Sequence, residues 1–276
     1  MFEQAILQRP EEFRTLHEPM GDAFYWGSER ISNRYSPEDC EKEFGKYKES
    51  TFAKVWDEIV EEPSEGPPRT FSKDMAQYLF PLPNTTTTSV PSLPKSSSDD
   101  VDNPTLIPSS RLLDPSIHHT FLIRTPKKAI PSYKRLCYPG SPTGFEYWDP
   151  EEVGLHEERK LFDYLRSQGM DPLVLDSEDL LKDPEGIMRI WCEDSSIPFD
   201  EKMLSWGEGT REHFEKWKGW HVAAENSTGM GKDLKAEHCT KHEETKVAKE
   251  LAPEVLDAID DNMEDYEYLK SFTRKA

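Results

Sequence analysis

"TFLIRTPKKAIPSYKRL", residues 120–136, is the stretch on which the fold turns. Thr120–Ile123 is a short apolar run bounded by polar residues, which fits a strand buried in a parallel sheet. Thr125 is a good N-cap and Pro126 suits the first helical position, so a helix should begin directly after a strand ending near Arg124. A strand running straight into a helix is the repeating unit of an α/β fold. Ligands of such folds bind outside the carboxyl ends of the strands. Five of these seventeen residues are Lys or Arg, in a 276-residue chain whose formal net charge is −20. Lys127 and Lys128 fall in the first helical turn, where a positive charge opposes the helix dipole at a cost of about 0.3–1 kcal/mol each. A bound anion removes that conflict by accepting from the free first-turn amides. Arg124 can grip phosphate with two parallel bonds, Lys127 adds a point charge, and Ser132 can donate a hydroxyl. The alternative is that the lysines are solvated or neutralised by acidic side chains from elsewhere.

Working outward, "PLVLD" (172–176) reads as a second buried strand and "FRTLHE" (13–18) as a third. "TFSKDMAQYLF" (70–80) reads as a strand running into a helix. A helix is expected over 37–61, with Ser36 as N-cap and Pro37 in the first position. Leu155, Phe162 and Leu165 mark a helix that stops at Gly169, and Asp183–Pro184 opens another. Val255, Ile259, Met263 and Tyr266 give a terminal helix its apolar stripe. Strands alternating with helices indicate an α/β fold with a mainly parallel sheet. Between Pro81 and Ser110, eighteen of 30 residues are Pro, Ser or Thr and none is aromatic. That composition predicts a flexible insertion in a single domain spanning 1–276.

Composition narrows the function. A pI near 4.8 argues against nucleic acid or an anionic membrane as partner of the surface as a whole. Cys40, Cys137, Cys192 and Cys239 are widely spaced, as expected of reduced thiols in a cytoplasmic protein. No apolar run approaches the roughly 20 residues that span a bilayer, and charge from Glu3 onward does not fit a signal peptide.

The order Arg124-x-Pro126-Lys127-x-x-x-x-Ser132, after a strand and opening a helix, resembles the 3′-phosphate motif of sulfotransferases. Those enzymes use 3′-phosphoadenosine 5′-phosphosulfate as sulfuryl donor. With "LHEPMGDAFYWGSER", "FSKDMAQYL", "LFDYLRSQG", "DSEDLLKDPEGI", "MLSW" and "FEKWKGWHVAAENSTG", the chain looks like the fungal sulfotransferase-like proteins of the P-loop superfamily over about residues 2–229. The resemblance implies a three-layer α/β fold with a parallel sheet flanked by helices. It implies transfer of a sulfuryl group to a hydroxyl of a small, secondary-metabolite acceptor, with Arg124 and Ser132 on the motif's phosphate positions and no metal. The family begins with a strand, a phosphate-binding loop and a helix. "MFEQAILQR" resembles the second half of that helix, so the first strand and the loop are expected to be missing from this chain, through truncation or degeneration.

The family's base is often a His on the strand before the flexible region. Here Lys73, Asp74 and Met75 stand there. Lys73 could stabilise the transferring group and Asp74 could act as base, with His17 and Glu18 as alternatives at another strand end. In the plain structural reading Asp74 caps the following helix and Glu18 pairs with an Arg. "FEKWKGWH" resembles the family's Lys-Gly loop, which would place Lys216, Lys218 and Gly219 on the 3′-phosphate and Trp217 or Trp220 on adenine; an aromatic core with solvated lysines is the alternative. His238 and His242 have metal-ligand spacing, but a solvated helix face suits them better. Phe24, Tyr25 and Trp26, with Phe145, Tyr147 and Trp148, could wall an acceptor pocket or form ordinary core. Rival functions are a nucleotide-binding scaffold without chemistry and a nucleotide hydrolase.

Overall fold

The computed structural model describes residues 2–61, 65–96, 98, 100–207, 211–230 and 251–276. In chain order its elements are α1 (Phe2–Ile6), β1 (Phe13–His17), α2 (Pro37–Glu43), α3 (Phe52–Val60), β2 (Arg69–Lys73), α4 (Ser109–Leu112) and β3 (Thr120–Ile123). There follow α5 (Pro126–Leu136), α6 (Leu155–Ser167), β4 (Leu173–Asp176), α7 (Ser177–Lys182), α8 (Pro184–Asp194), α9 (Arg211–Phe214), α10 (Val222–Glu225) and α11 (Pro253–Lys270). All four strands pair in parallel, β1 with β2 and β3 with β4, as the alternation of strands and helices requires. The pairs are two small sheets among the described residues, where the sequence suggests one larger sheet.

The chain divides into two units. One comprises Met1–Arg9, Thr120–His156 and Leu173–Ala276, the other Pro10–His119 and Glu157–Pro172. In the first, β4 is buried along its whole length, which accounts for its unbroken apolar run. Its pairing runs from Thr120 beside Leu173 to Ile123 beside Asp176. Terminal helix α11 packs on α5, with Val255, Ala258 and Ile259 closing over Ile130. Asp176, at the end of β4, accepts from the Tyr266 hydroxyl at 2.7 Å and the Glu178 amide at 2.7 Å, so one buried carboxylate ties α11 and α7 to the sheet. Asp183 caps α8 through the Gly186 amide at 3.0 Å, with Pro184 in the first position, as expected.

In the second unit the register places His17 beside Lys73 at the carboxyl ends of β1 and β2. Phe24, Tyr25 and Trp26 occupy a π-helical turn and are nearly solvent-free, so they are core and wall no open pocket. The helix expected over 37–61 is two helices. Ser36 and Asp39 form the capping box of α2, and Thr51 caps α3 through the Lys54 amide. The break lets Phe44 and Tyr47 stack on Trp26 at 4.6 and 4.9 Å. The Pro/Ser/Thr-rich segment is not uniformly loose: Val90, Leu93, Leu106 and Ile107 are buried. Asp100 accepts from the Ser109 amide and hydroxyl at 2.6 and 2.5 Å and fixes the start of α4.

Candidate functional site

Arg124, Lys127 and Ser132 lie where β3 passes into α5. Pro126 occupies the first helical position, but the Thr125 hydroxyl makes no capping bond and no acidic residue sits in the first turn. The helix therefore starts without a side-chain acceptor for its free amides. Arg124 and Lys127 are exposed and Ser132 is half-buried. None of the three side chains makes a hydrogen bond or ion pair with a described residue, whereas Lys128 pairs with Glu178 at 2.9 Å. Neutralisation by an ion pair thus holds for Lys128, while Lys127 and Arg124 form none with a described residue. Desolvation by the surrounding protein pushes the Arg124 guanidinium below its ordinary value, Glu178 pulls it back, and Arg135 repels it. A guanidinium stays charged through such a shift, the more so where it touches water.

The loop of Lys216, Lys218 and Gly219 meets the same helix through aromatic rings. Trp220 lies 5.8 Å from Tyr133 of α5 and 4.8 Å, edge-on, from Phe145. Trp217 is buried, with Phe145 at 6.4 Å and the Lys216 ammonium 5.9 Å from its ring centre. Lys218 is exposed and makes no hydrogen bond or ion pair with a described residue. Gly219 has φ +85°, a left-handed conformation that favours glycine, and a Cβ there would touch Pro142. The Trp220 indole N–H is buried without an acceptor among the described residues. The aromatic-core reading accounts for Trp217 and for the ring contacts of Trp220. Tyr133, which ties loop to helix, was not singled out from sequence; Phe145, read from sequence as pocket wall or core, is buried. His238 and His242 lie outside the described residues.

The other candidates gather in the second unit, where β1 and β2 end. Glu18 is buried and takes φ +48°, a conformation uncommon for a residue with a side chain. Its amide donates to the Lys73 carbonyl at 2.6 Å, which carries the strand pairing one step further. Its carboxylate pairs with the Lys73 ammonium and accepts from the Tyr78 hydroxyl at 3.0 Å. A described ion-pair partner is Lys73, where the plain structural reading supplied an Arg. Asp74 does not cap the following helix; it accepts from the Met20 amide and the Ser72 hydroxyl, both at 3.1 Å, and so braces the turn after Glu18. His17 is buried beside them. Tyr78 escaped the sequence reading, because nothing in "AQYLF" marks a hydroxyl aimed 60 residues back.

With this geometry in place, residues 114–237 match the family model for sulfotransferase domains. The match includes the start of α5 and the Lys216–Gly219 loop. Two Arabidopsis thaliana proteins, branched-chain-amino-acid aminotransferase-like proteins 2 and 1, are 31% and 32% identical over 118 residues. That is 42% of this chain and 20% of each relative, so the chain spans about a fifth of the length of the curated relatives it matches. No solved structure matches. No helix among the described residues is long and apolar enough to cross a membrane.

Proposed function

We propose that the chain is a sulfotransferase-like protein, one P-loop-type α/β domain of three layers, that binds 3′-phosphoadenosine 5′-phosphosulfate at the start of α5. Arg124, Lys127 and Ser132 hold the 3′-phosphate, and Lys218 and the Gly219 backbone close on it. The observation that carries the reading is a helix start without a side-chain cap, with two cations and a hydroxyl that pair with no described residue, in a chain of net charge −20. The sulfotransferase match over the same residues supports it.

In the reaction proposed, a hydroxyl oxygen of a small acceptor attacks the donor's sulfur. The S–O bond to the 5′-phosphate breaks, the sulfuryl group moves to the acceptor, and adenosine 3′,5′-bisphosphate leaves. The acceptor's proton passes to a base, for which Glu18 is the best of the candidates. Both carboxylates are bonded at both oxygens, but Asp74 is held by the Met20 amide and the Ser72 hydroxyl, whereas one partner of the buried Glu18 is a partly exposed lysine that can turn away. Lys73 is assigned to the charge on the transferring group, and His17 supports the strand end. The aminotransferase-like description belongs to the relatives and is not carried over.

The test compares adenosine 3′,5′-bisphosphate with adenosine 5′-monophosphate by quenching of tryptophan fluorescence. The bisphosphate should bind roughly ten- to a hundredfold more tightly, the equivalent of one or two charged hydrogen bonds to the 3′-phosphate. Equal affinities would remove the 3′-phosphate from the assignment.

A further inference from the structure

Among the partners of Glu18 are two of different kinds. The Lys73 side chain keeps about a third of its surface exposed, while Tyr78 is 4% exposed and packed between rings, 5.1 Å from Phe24 and 5.5 Å from Tyr25. An exposed lysine can turn toward another anion; a buried tyrosine cannot turn away. We propose that Tyr78 is the positioning residue of this site: its hydroxyl holds the Glu18 carboxylate oriented and ionised when Lys73 turns to the transferring group. The inference rests on the reading of Glu18 as base.

Three observations support it beyond the 3.0 Å bond. Tyr78 follows Lys73 and Asp74 on a short 3-10 turn, so the strand that delivers Lys73 also delivers the tyrosine. Glu18 takes φ +48° with its backbone N–H donating to the Lys73 carbonyl, a local strain that persists only where the surroundings enforce it. Burial, followed by the charge of Glu18, then Tyr25 and Asp74, keeps the phenol protonated well above its ordinary value, so it acts as a donor throughout the physiological range. A buried carboxylate stripped of that donor would lose part of what favours its charged form.

The experiment follows the Glu18 side-chain carboxyl by NMR in the full chain labelled at glutamate carboxyl carbons, with Glu18→Gln identifying the resonance. Tyr78→Phe should move the Glu18 titration to higher pH, and Tyr78→Phe should move it again in a Lys73→Met background. Titration unchanged by Tyr78→Phe in both backgrounds overturns the proposal. Should Tyr78→Phe fail to fold by its thermal melt, the reciprocal measurement decides: the Tyr78 ring resonance should titrate at lower pH in Glu18→Gln than in the parent, and an unchanged value overturns the proposal. Fluorescence titration with the bisphosphate is run beside it on each variant. Loss of the carboxyl effect with nucleotide binding intact defeats the Tyr78 assignment alone, and absent nucleotide binding in the parent defeats the donor-site reading instead.

Discussion

Glu158 on α6 is a carboxyl in an adverse setting. It is half-buried, makes no hydrogen bond or ion pair with a described residue, and burial pushes it from 4.5 up to about 8. A carboxyl raised in the folded state binds its proton there while the unfolded chain has released it. Stability is therefore unaffected below about pH 4.5, falls as pH rises toward 8, and stays low above. The slope is at most about 1.4 kcal/mol per pH unit, and less to the extent that water reaches the carboxyl. Glu158→Gln should melt close to the parent at pH near 4.5 and progressively above it toward pH 8, read by circular dichroism; a constant gap across that range would contradict the assignment. At Tyr266, burial first and then donation to the buried Asp176 push the phenol up to about 12, against the opposing bond from Lys270. Tyr266→Phe should cost about 1.5–3 kcal/mol in denaturant unfolding, as for a bond to a charged group. A loss below about 0.5 kcal/mol, the lower end for an ordinary hydrogen bond, would mean that Lys270, 3.6 Å from Asp176, suffices to hold it.

Elements were legible where capping chemistry is local. Ser36 with Asp39, Asp183 with Pro184, and Gly169 at φ +86° each mark a helix end within a few residues of sequence, and each appears where expected. The break between α2 and α3 was not read, although Gly45 and Thr51 stand in it, because its cause is tertiary: Phe44 and Tyr47 must reach Trp26. The same holds for the Pro/Ser/Thr-rich segment. Its composition argues for a loose chain, but Val90, Leu93, Leu106 and Ile107 are buried. Among the described residues of the segment, 83–88 is the longest exposed run, and looseness should be greatest there. Limited proteolysis followed by mass spectrometry should place the first cut within 83–88, and a first cut within 103–109 would contradict that division.

At the scale of the whole molecule, the two units interleave in sequence, since 157–172 joins the unit built by 10–119. No local pattern announces that assignment, and for the same reason the ties of Glu18 to Lys73 and Tyr78 across 55 and 60 positions could not be read. The cationic helix start could be read, because its residues lie within nine positions of one another. A chain of net charge −20 repels a nucleotide bisphosphate at long range, so binding must rest on a few local cations. Arg124 is the one with the geometry to grip phosphate with two bonds. Isothermal titration calorimetry of adenosine 3′,5′-bisphosphate against the parent and Arg124→Ala tests this most directly. Binding to the parent, weakened by about 1.5–3 kcal/mol in the variant, is the expected result; equal affinity of variant and parent would contradict it.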